Sequence, residues 1–470
     1  MTPKSQDWVC CDDLNGFLDS LRGMDDLVEI KEELTPRFEM GALLRALGER
    51  DGPAALFTNV AGFPGKAVAG NVMGHRRRIA KAFGVKEDQL ARAYFVRKNQ
   101  RVPPTVVEDS PVKKVTIRGH EVDLLSTLPA LTHHEKDASP YLTCAVTFAR
   151  DPETGRQSMG MHRIQIQSSQ TLGICLATPP LSRFLQKAWE MNRPLEVAIV
   201  IGPDPAVLIA SVTRCPAGDD KIEIAGGFRQ KPVELVPCDT TEVLVPAHAQ
   251  YLIEGTIQAG DVAHEGPFGD SSGTYVEAES PVIRVTSVSH RENPIYQALQ
   301  TWSSEDDALL NLCFGSDLLE EVTKEYPFVR DLHMVTGTLC AHAVASVGLC
   351  PRPSRRSAIV ALLTRNPFVK SVIVVDEDID IRNPREVEWA VATRFQADRD
   401  LIIIPGMQGS AIDPSAFPAG ASCKVGIDAT CARERVAVFE KIRVPAESRR
   451  RAMSIVEKIV DRFGKVVTSR

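Results

Sequence analysis

The run HEGPFGDSSGTY, residues 264–275, is the stretch whose reading matters most. Glu265 and Asp270 stand five apart, separated by Gly266, Pro267, Phe268 and Gly269. Two glycines and a proline specify a backbone path that neither a helix nor a flat strand requires. A rigid turn carrying two carboxylates is an arrangement used for acid–base chemistry, because burial or a like-charged neighbour lets one of them donate a proton near neutral pH. Taken alone, the run also reads as a surface turn with two solvated acids, and that is the plainer reading.

Two earlier runs add to it. In QSMGMHRIQIQ, residues 157–167, Gly160 lies between Met159 and Met161, and Arg163 opens a strand. An arginine there is placed to clamp a carboxylate with two parallel hydrogen bonds. By itself it is equally an exposed strand arginine, and the adjacent His162 a structural histidine. In KIEIAGGFRQKP, residues 221–232, Glu223 alternates with apolar residues, which predicts a strand followed by a Gly-Gly turn. A carboxylate facing into a barrel needs a cation or a metal as partner, whereas one facing outward needs none.

Around these runs the chain changes character. Residues 12–115 predict a mixed α/β region: helices in DDLNGFLDSLRGM, FEMGALLRALGER, HRRRIAKAFGV and EDQLARAYFVRKNQ, and a strand in AALFTNV. The HRRR cluster reads first as a solvated helix end, second as a phosphate contact. From 116 to about 300, KKVTIRG, YLTCAVTFAR, LEVAIVIG and PVIRVTSVSH are strand-like and separated by Gly, Pro and Asp, which predicts an antiparallel barrel or sandwich. One helix, SRFLQKAWEMN, interrupts it. EDDALLNL and SDLLEEVTKEY are helical and lead to a last α/β region. There SAIVALL and KSVIVVDEDID are expected as strands, REVEWAVATRF as a helix, and DLIIIPG as a buried strand of the parallel kind. A basic amphipathic tail, SRRRAMSIVEKIVDRFGKV, follows.

At 470 residues the chain exceeds what a single core usually accommodates, so two or three domains are expected. Its net charge of −6, with 55 basic and 61 acidic residues, excludes a broad nucleic-acid surface. The start, MTPKSQDWVCCDDLNG, has no apolar core of a signal peptide, and no apolar run reaches bilayer length, so no membrane attachment is expected. Eleven scattered cysteines without a CxxC pair fit reduced thiols in a cytoplasm. THHEKD, residues 132–137, groups His133, His134 and Glu135 as a metal-dependent hydrolase does, but in a Pro-rich loop without HExxH spacing. That reading is set aside, and the residues are expected to line a loop.

In this order and spacing, the three runs resemble the UbiD decarboxylase family, whose signature EGPFGD matches. The resemblance extends to VPAHAQYLIEGTIQAGD (245–261), KSVIVVDEDIDIRNPREVEWAVATRFQADRDLIIIPG (370–406) and KVGIDAT (424–430), and covers about residues 20 to 445. It implies an N-terminal α/β domain (1–115), a central FMN-reductase-like split β-barrel (116–305), a linker helix region (306–345) and a C-terminal α/β domain with a tail helix (346–470). It implies prenylated FMN as cofactor, supplied by a separate flavin prenyltransferase. It also implies decarboxylation of a small aromatic or heteroaromatic acid with release of CO2, and a homodimer or homohexamer.

The family's catalytic set of one arginine and two acids falls on Arg163, Glu265 and Asp270. Arg163 would orient the substrate carboxylate, held by Glu265, and Asp270 would protonate the carbon; a solvated Asp does this poorly, so partial burial is expected. The flavin contacts fall on Ser158, Met159, Gly160, Met161, His162, Arg163 and Glu223. LQTWSSEDD, residues 299–307, is expected at the pocket. The family's divalent ion, held by Asn, His and Glu beside a potassium ion, is where this chain departs. Glu223 matches, Ser158 stands for Asn, and ICLATPPLSRF (174–184) offers no histidine. Mn2+ or Mg2+ on oxygen ligands, K+ or Na+, or a direct contact from Lys370 to the phosphate are the options. A flavin binder without decarboxylase activity and a carboxylase running in reverse are the alternatives to decarboxylation.

Overall fold

The computed structural model describes residues 11–463 apart from 217, 411, 419, 432–437, 440 and 443. A first sheet of four strands joins Leu27–Ile30, Ala54–Phe57 and Ala67–Gly70 to Ile295–Gln297, so the N-terminal layer is completed by a strand from far along the chain. The central sheet has nine antiparallel strands built on one long hairpin, Tyr251–Gly269 with Tyr275–His290. Helix Ser304–Glu325 then leads to a five-stranded sheet in which Val329–Met334 and Leu401–Gln408 are the edges.

The shape of the central sheet follows from its topology. Gln157–Met161 is its strand at one edge, while Ile164–Ile166 pairs with the opposite edge strand, Tyr141–Leu142. Only His162 and Arg163 lie between them. Three residue steps reach at most about 11 Å. The sheet must therefore curl until its edges nearly meet, which is the split barrel expected from the sequence. His162 and Arg163 bridge the seam. Cys175 N–H donates to Arg163 O at 3.2 Å, extending the ladder between Thr171–Ile174 and Ile164–Ile166 by one rung.

The curled sheet buries apolar side chains on both faces. One cluster gathers Ile164, Leu172, Leu181, Leu185, Ile199 and Ile253, with helix Leu181–Glu190 among them. The other begins at Leu14 and Phe17, passes under helices Pro205–Val212 and Lys221–Arg229, and continues through Leu312 and Leu318 to Val372 and Ile402. N-terminal, central and C-terminal layers thus share one core.

Several expectations are corrected. Glu223 lies on a helix, not a strand. Asp220 caps that helix by accepting from Ile222 N–H at 2.9 Å. Gly226 and Gly227 form no turn: a Cβ on them would come within 2.5 Å of Val102 O and 2.2 Å of Gln100 O, so they let the helix press on residues 97–102. SAIVALL belongs to helix Arg352–Arg365, where Ala358, Ile359, Leu362 and Leu363 make its buried stripe. DLIIIPG forms an edge strand antiparallel to Ala421–Ala429, leaving Ile403 61% exposed. Among the described residues, Leu181–Glu190, Pro205–Val212, Lys221–Arg229 and the one-turn helix Leu124–Thr127 interrupt the barrel strands, rather than one helix. Among the described residues no helix is long and apolar enough to cross a membrane.

The HRRR cluster is also not solvated throughout. Arg78 is fully buried and donates to Asp26 Oδ1 at 2.9 Å, while the half-exposed Arg77 makes a two-point contact to the same carboxylate at 2.7 and 2.9 Å. Substituting Arg78→Leu should cost about 3 kcal/mol in chemical unfolding, because it breaks a buried pair. Arg77→Leu should cost no more than about 1 kcal/mol. Equal costs would show that burial of the pair does not set its strength.

Candidate active site

The turn after Tyr251–Gly269 is built from a bulge and two tight approaches. Glu265 pairs with Ala278 and Phe268 with Val276, so one extra residue is accommodated on the first strand. Gly266 takes φ +112°, and a Cβ there would lie 2.7 Å from Val276 O. Gly273 N–H donates to Asp270 O at 2.9 Å and Asp270 N–H to Thr274 O at 3.0 Å, closing the hairpin. Both acids are buried: Glu265 is 0% and Asp270 7% exposed. The sequence reading of a rigid turn with partly buried carboxylates agrees with this geometry.

Arg163 meets both acids at the seam. Its Nε and Nη2 donate to Glu265 Oε1 and Oε2 at 2.8 and 3.2 Å, and its Nη1 donates to Asp270 Oδ2 at 2.6 Å. Ser280 Oγ donates to Glu265 Oε2 at 2.7 Å from the facing strand. Below the guanidinium lies the Phe268 ring at 5.7 Å, itself 4.1 Å from the Tyr141 ring. Burial disfavours the guanidinium charge, but the Glu265 hydrogen bonds and the neighbouring Cys175, Glu265 and Asp270 more than offset this, so its pKa is raised. Burial and then the Glu265 charge raise the Tyr141 phenol as well, keeping it neutral.

THHEKD, set aside as a hydrolase site, is the clasp of this turn. Asp137 Oδ2 accepts from the N–H groups of His133 and His134 at 3.0 and 2.8 Å, and its Oδ1 accepts from Gly269 N–H at 2.8 Å. Ala138 N–H donates to Pro267 O at 2.9 Å. Gln300 accepts from His133 Nδ1 at 2.8 Å and donates to His134 Nε2 at 3.0 Å. His133 is buried, which pushes its pKa down to about 4. Sequence reasoning did not single out Asp137, Ser280 or Gln300. Asp137 stands in THHEKD and Gln300 in LQTWSSEDD, but partners made of backbone amides leave no mark in a sequence.

On the other side of the seam, Ser158, Gly160 and His162 share one face of their strand. A Cβ on Gly160 would lie 2.7 Å from His162 Nε2, so the imidazole folds back over bare backbone. His162 Nδ1 donates to Cys175 O at 3.1 Å; burial first, then the Lys221 charge, lowers its pKa to about 4, leaving a neutral ring. The Ser158 hydroxyl is buried with no partner, which fits a polar contact to a bound flavin. Met159 faces the opposite way, into the core under the helix that carries Glu223. Among the described residues no three His, Cys, Asp or Glu side chains gather as a metal site. The Asn-His-Glu divalent site does not fit these residues. Lys370, expected as a phosphate contact, pairs instead with Asp413 at 2.8 Å and with Ser415 on the C-terminal sheet.

Family models described as the 3-octaprenyl-4-hydroxybenzoate carboxy-lyase N-terminal, Rift-related and C-terminal domains match residues 18–97, 105–303 and 310–429. The chain belongs to the UbiD family. It is 33% identical to the anhydromevalonate phosphate decarboxylase of Methanothermobacter thermautotrophicus over 91% of this chain and 99% of that one. It is 31% identical to the phenolic acid decarboxylase of Streptomyces sp. strain D7 over 89% and 92%. The solved structure of the UbiD-class enzyme HmfF from Pelotomaculum thermopropionicum in complex with FMN superimposes with a TM-score of 0.89 at 38% identity, covering 93% and 98%. An evolved dimeric form of that enzyme in complex with prFMN gives 0.86 at 36%, with the same coverage.

The clasp can be tested alone. Asp137→Ala leaves three N–H groups without their acceptor, each costing about 1 kcal/mol or more, so the unfolding free energy should fall by at least about 3 kcal/mol. Glu135→Ala, two residues away and exposed, should stay within about 0.5 kcal/mol.

Proposed function

We propose that this chain is a prenylated-FMN-dependent decarboxylase that removes CO2 from a small aromatic or heteroaromatic carboxylic acid. The observation that carries the reading is Arg163, hydrogen-bonded at once to Glu265 and Asp270 on the seam of the barrel. A flavin binder without chemistry has no use for a guanidinium held between two buried carboxylates. The phenolic acid decarboxylase relative and the prFMN complex of HmfF support the substrate class and the cofactor.

Prenylated FMN, supplied by a separate flavin prenyltransferase, provides when bound the electron sink for the carbon from which CO2 departs. The chain does the rest. The free Ser158 hydroxyl and the strand through Met159, Gly160, Met161 and His162 form the cofactor's bed. Arg163 orients the substrate carboxylate, and Glu265, locked by Ser280, fixes the orientation of Arg163. Asp270 gives its proton to the carbon left with the electron pair of the broken C–C bond. The same catalyst lowers the barrier for carboxylation, so the direction in use follows from CO2 and bicarbonate levels. Exposed Ile403 on the edge strand and Phe417, 95% exposed, support assembly of copies through the C-terminal domain.

Co-expression with a flavin prenyltransferase should yield protein that releases a flavin of prenylated-FMN mass. It should evolve CO2 from at least one member of a panel of phenolic, furoic and phosphorylated unsaturated acids. Protein that stays empty or takes up plain FMN under anaerobic handling would favour the non-catalytic flavin binder. In the loaded enzyme, Asp270→Asn should lower kcat by roughly 10²–10⁴-fold with cofactor content unchanged. A pH–rate profile the same in this variant as in the parent would remove Asp270 from the role of acid.

A further inference from the structure

A charge buried in a protein interior is costly unless a partner meets it. The buried cations among the described residues are Arg78, Lys221, Arg229, Arg394 and Lys424. Arg78, Arg229 and Arg394 each face an aspartate: Asp26 at 2.9 Å, Asp204 at 3.2 Å and Asp376 at 2.8 Å. Lys424 has no acid, but its ammonium closes the end of helix Arg352–Arg365, donating to Leu363 O, Asn366 O and Pro367 O at 2.7, 3.4 and 3.2 Å. There, three donors meet three acceptors.

Lys221 has neither arrangement. It is 7% exposed, and its ammonium donates to a single acceptor, Ser211 O at 2.7 Å, in the last turn of helix Pro205–Val212. Closing that helix is the plainer role, yet it leaves two N–H donors and the charge unanswered. Among the described residues no carboxylate pairs with it. Asp219 is drawn to Arg101, and Asp220 is spent on Ile222 N–H at 2.9 Å. Glu223 lies two residues further on the same helix, a spacing at which side chains do not face each other. Burial accordingly lowers the Lys221 pKa.

The place of this ammonium matters. Helices Pro205–Val212 and Lys221–Arg229 both pack on strand Gln157–Met161, which carries the buried, unpartnered Ser158 hydroxyl. Lys221 is the first residue of its helix, where the positive end of the helix dipole already disfavours a cation and favours an anion. Both costs, the unanswered charge and the dipole, are relieved when an anion arrives.

We propose that Lys221 holds the phosphate of the flavin and does the work that a divalent ion does elsewhere in the family. The proposal rests on the flavin-binding reading of the site. A divalent cation on one glutamate, with neutral Asn and His ligands, amounts to one positive charge; an ammonium brings the same charge without a metal. A phosphate monoester carries about 1.5 to 2 negative charges at neutral pH and accepts from the two free N–H groups. The poor fit of the Asn-His-Glu set then has a cause: a chain that supplies its own cation needs neither an Asn at Ser158 nor a histidine in residues 174–184.

Titration of the full-length apoprotein with FMN and with riboflavin, which lacks the phosphate, tests this through quenching of flavin fluorescence in EDTA. The parent should bind FMN at least ~30-fold more tightly than riboflavin. Replacing EDTA by Mn2+ or Mg2+ should leave both affinities unchanged. Lys221→Gln, which keeps a donor for Ser211 O without the charge, should lose the preference for FMN and bind riboflavin as the parent does. Lys221→Arg should recover part of the preference. An unchanged preference in Lys221→Gln would overturn the proposal. So would parental FMN binding that vanishes in EDTA and returns with Mn2+. Metal analysis of the FMN-loaded parent needs no variant: no stoichiometric divalent ion is expected, and one ion per flavin would refute the assignment. A parent that binds neither FMN nor, after co-expression with a flavin prenyltransferase, prenylated FMN would overturn the reading beneath it.

Discussion

Two residues carry the chain from one edge strand of the central sheet to the strand beside the opposite edge, and Arg163 is one of them. A sheet whose edges are tied so closely has to curl, and the residue at the tie cannot retreat into either edge. Arg163 consequently sits where the barrel is open, with its guanidinium free of any ladder and its own backbone held by Cys175. The long hairpin then brings Glu265 and Asp270 to it from across the barrel. An arginine in mid-strand would point to one face of a sheet. At the seam it reaches a bulged hairpin end, and this gives it two acids.

The bulge is the second half of the same arrangement. Along a regular strand, residues five apart point to opposite faces, so Glu265 and Asp270 would not share a partner. The extra residue around Gly266 and Pro267 and the tight turn at Asp270–Gly273 change that phase. Such a path needs support, and the support is polar: Asp137 accepts three backbone N–H groups, one of them from Gly269. Peptide groups freed from the ladder by an irregular turn would otherwise lose their hydrogen bonds in the interior. The clasp loop, the bulge and the arginine are therefore one structural unit, assembled from segments far apart in the chain.

Much of this was legible in the sequence because glycine and proline mark unusual backbone directly. EGPFGD announced a rigid turn with two acids, and GMHR announced an arginine beside bare backbone. The misreadings have a common cause. KIEIAGG and SAIVALL are short apolar runs whose period is ambiguous, and their helical form comes from a cap at Asp220 and from packing that only the folded chain reveals. DLIIIPG has the composition of a buried strand but lies at a sheet edge, a matter of topology rather than local preference. Ser280 could not be found by motif, because its place beside Glu265 depends on the pairing register of a bulged hairpin.

Charge balance ties the unit to its chemistry. One guanidinium faces two carboxylates in a buried site, and a substrate carboxylate arriving on Arg163 would add a third anion. In a medium of low effective dielectric, like charges a few ångströms apart repel by several kcal/mol. Entry of an anionic substrate is therefore favoured when one of the three acids carries a proton. Glu265 is poorly placed to take it, since both its oxygens already accept from Arg163 and one also accepts from Ser280. Asp270 engages Arg163 through a single oxygen and has the other free of that contact. Of the two acids, Asp270 is therefore the one with an oxygen left to serve the donor role proposed for it.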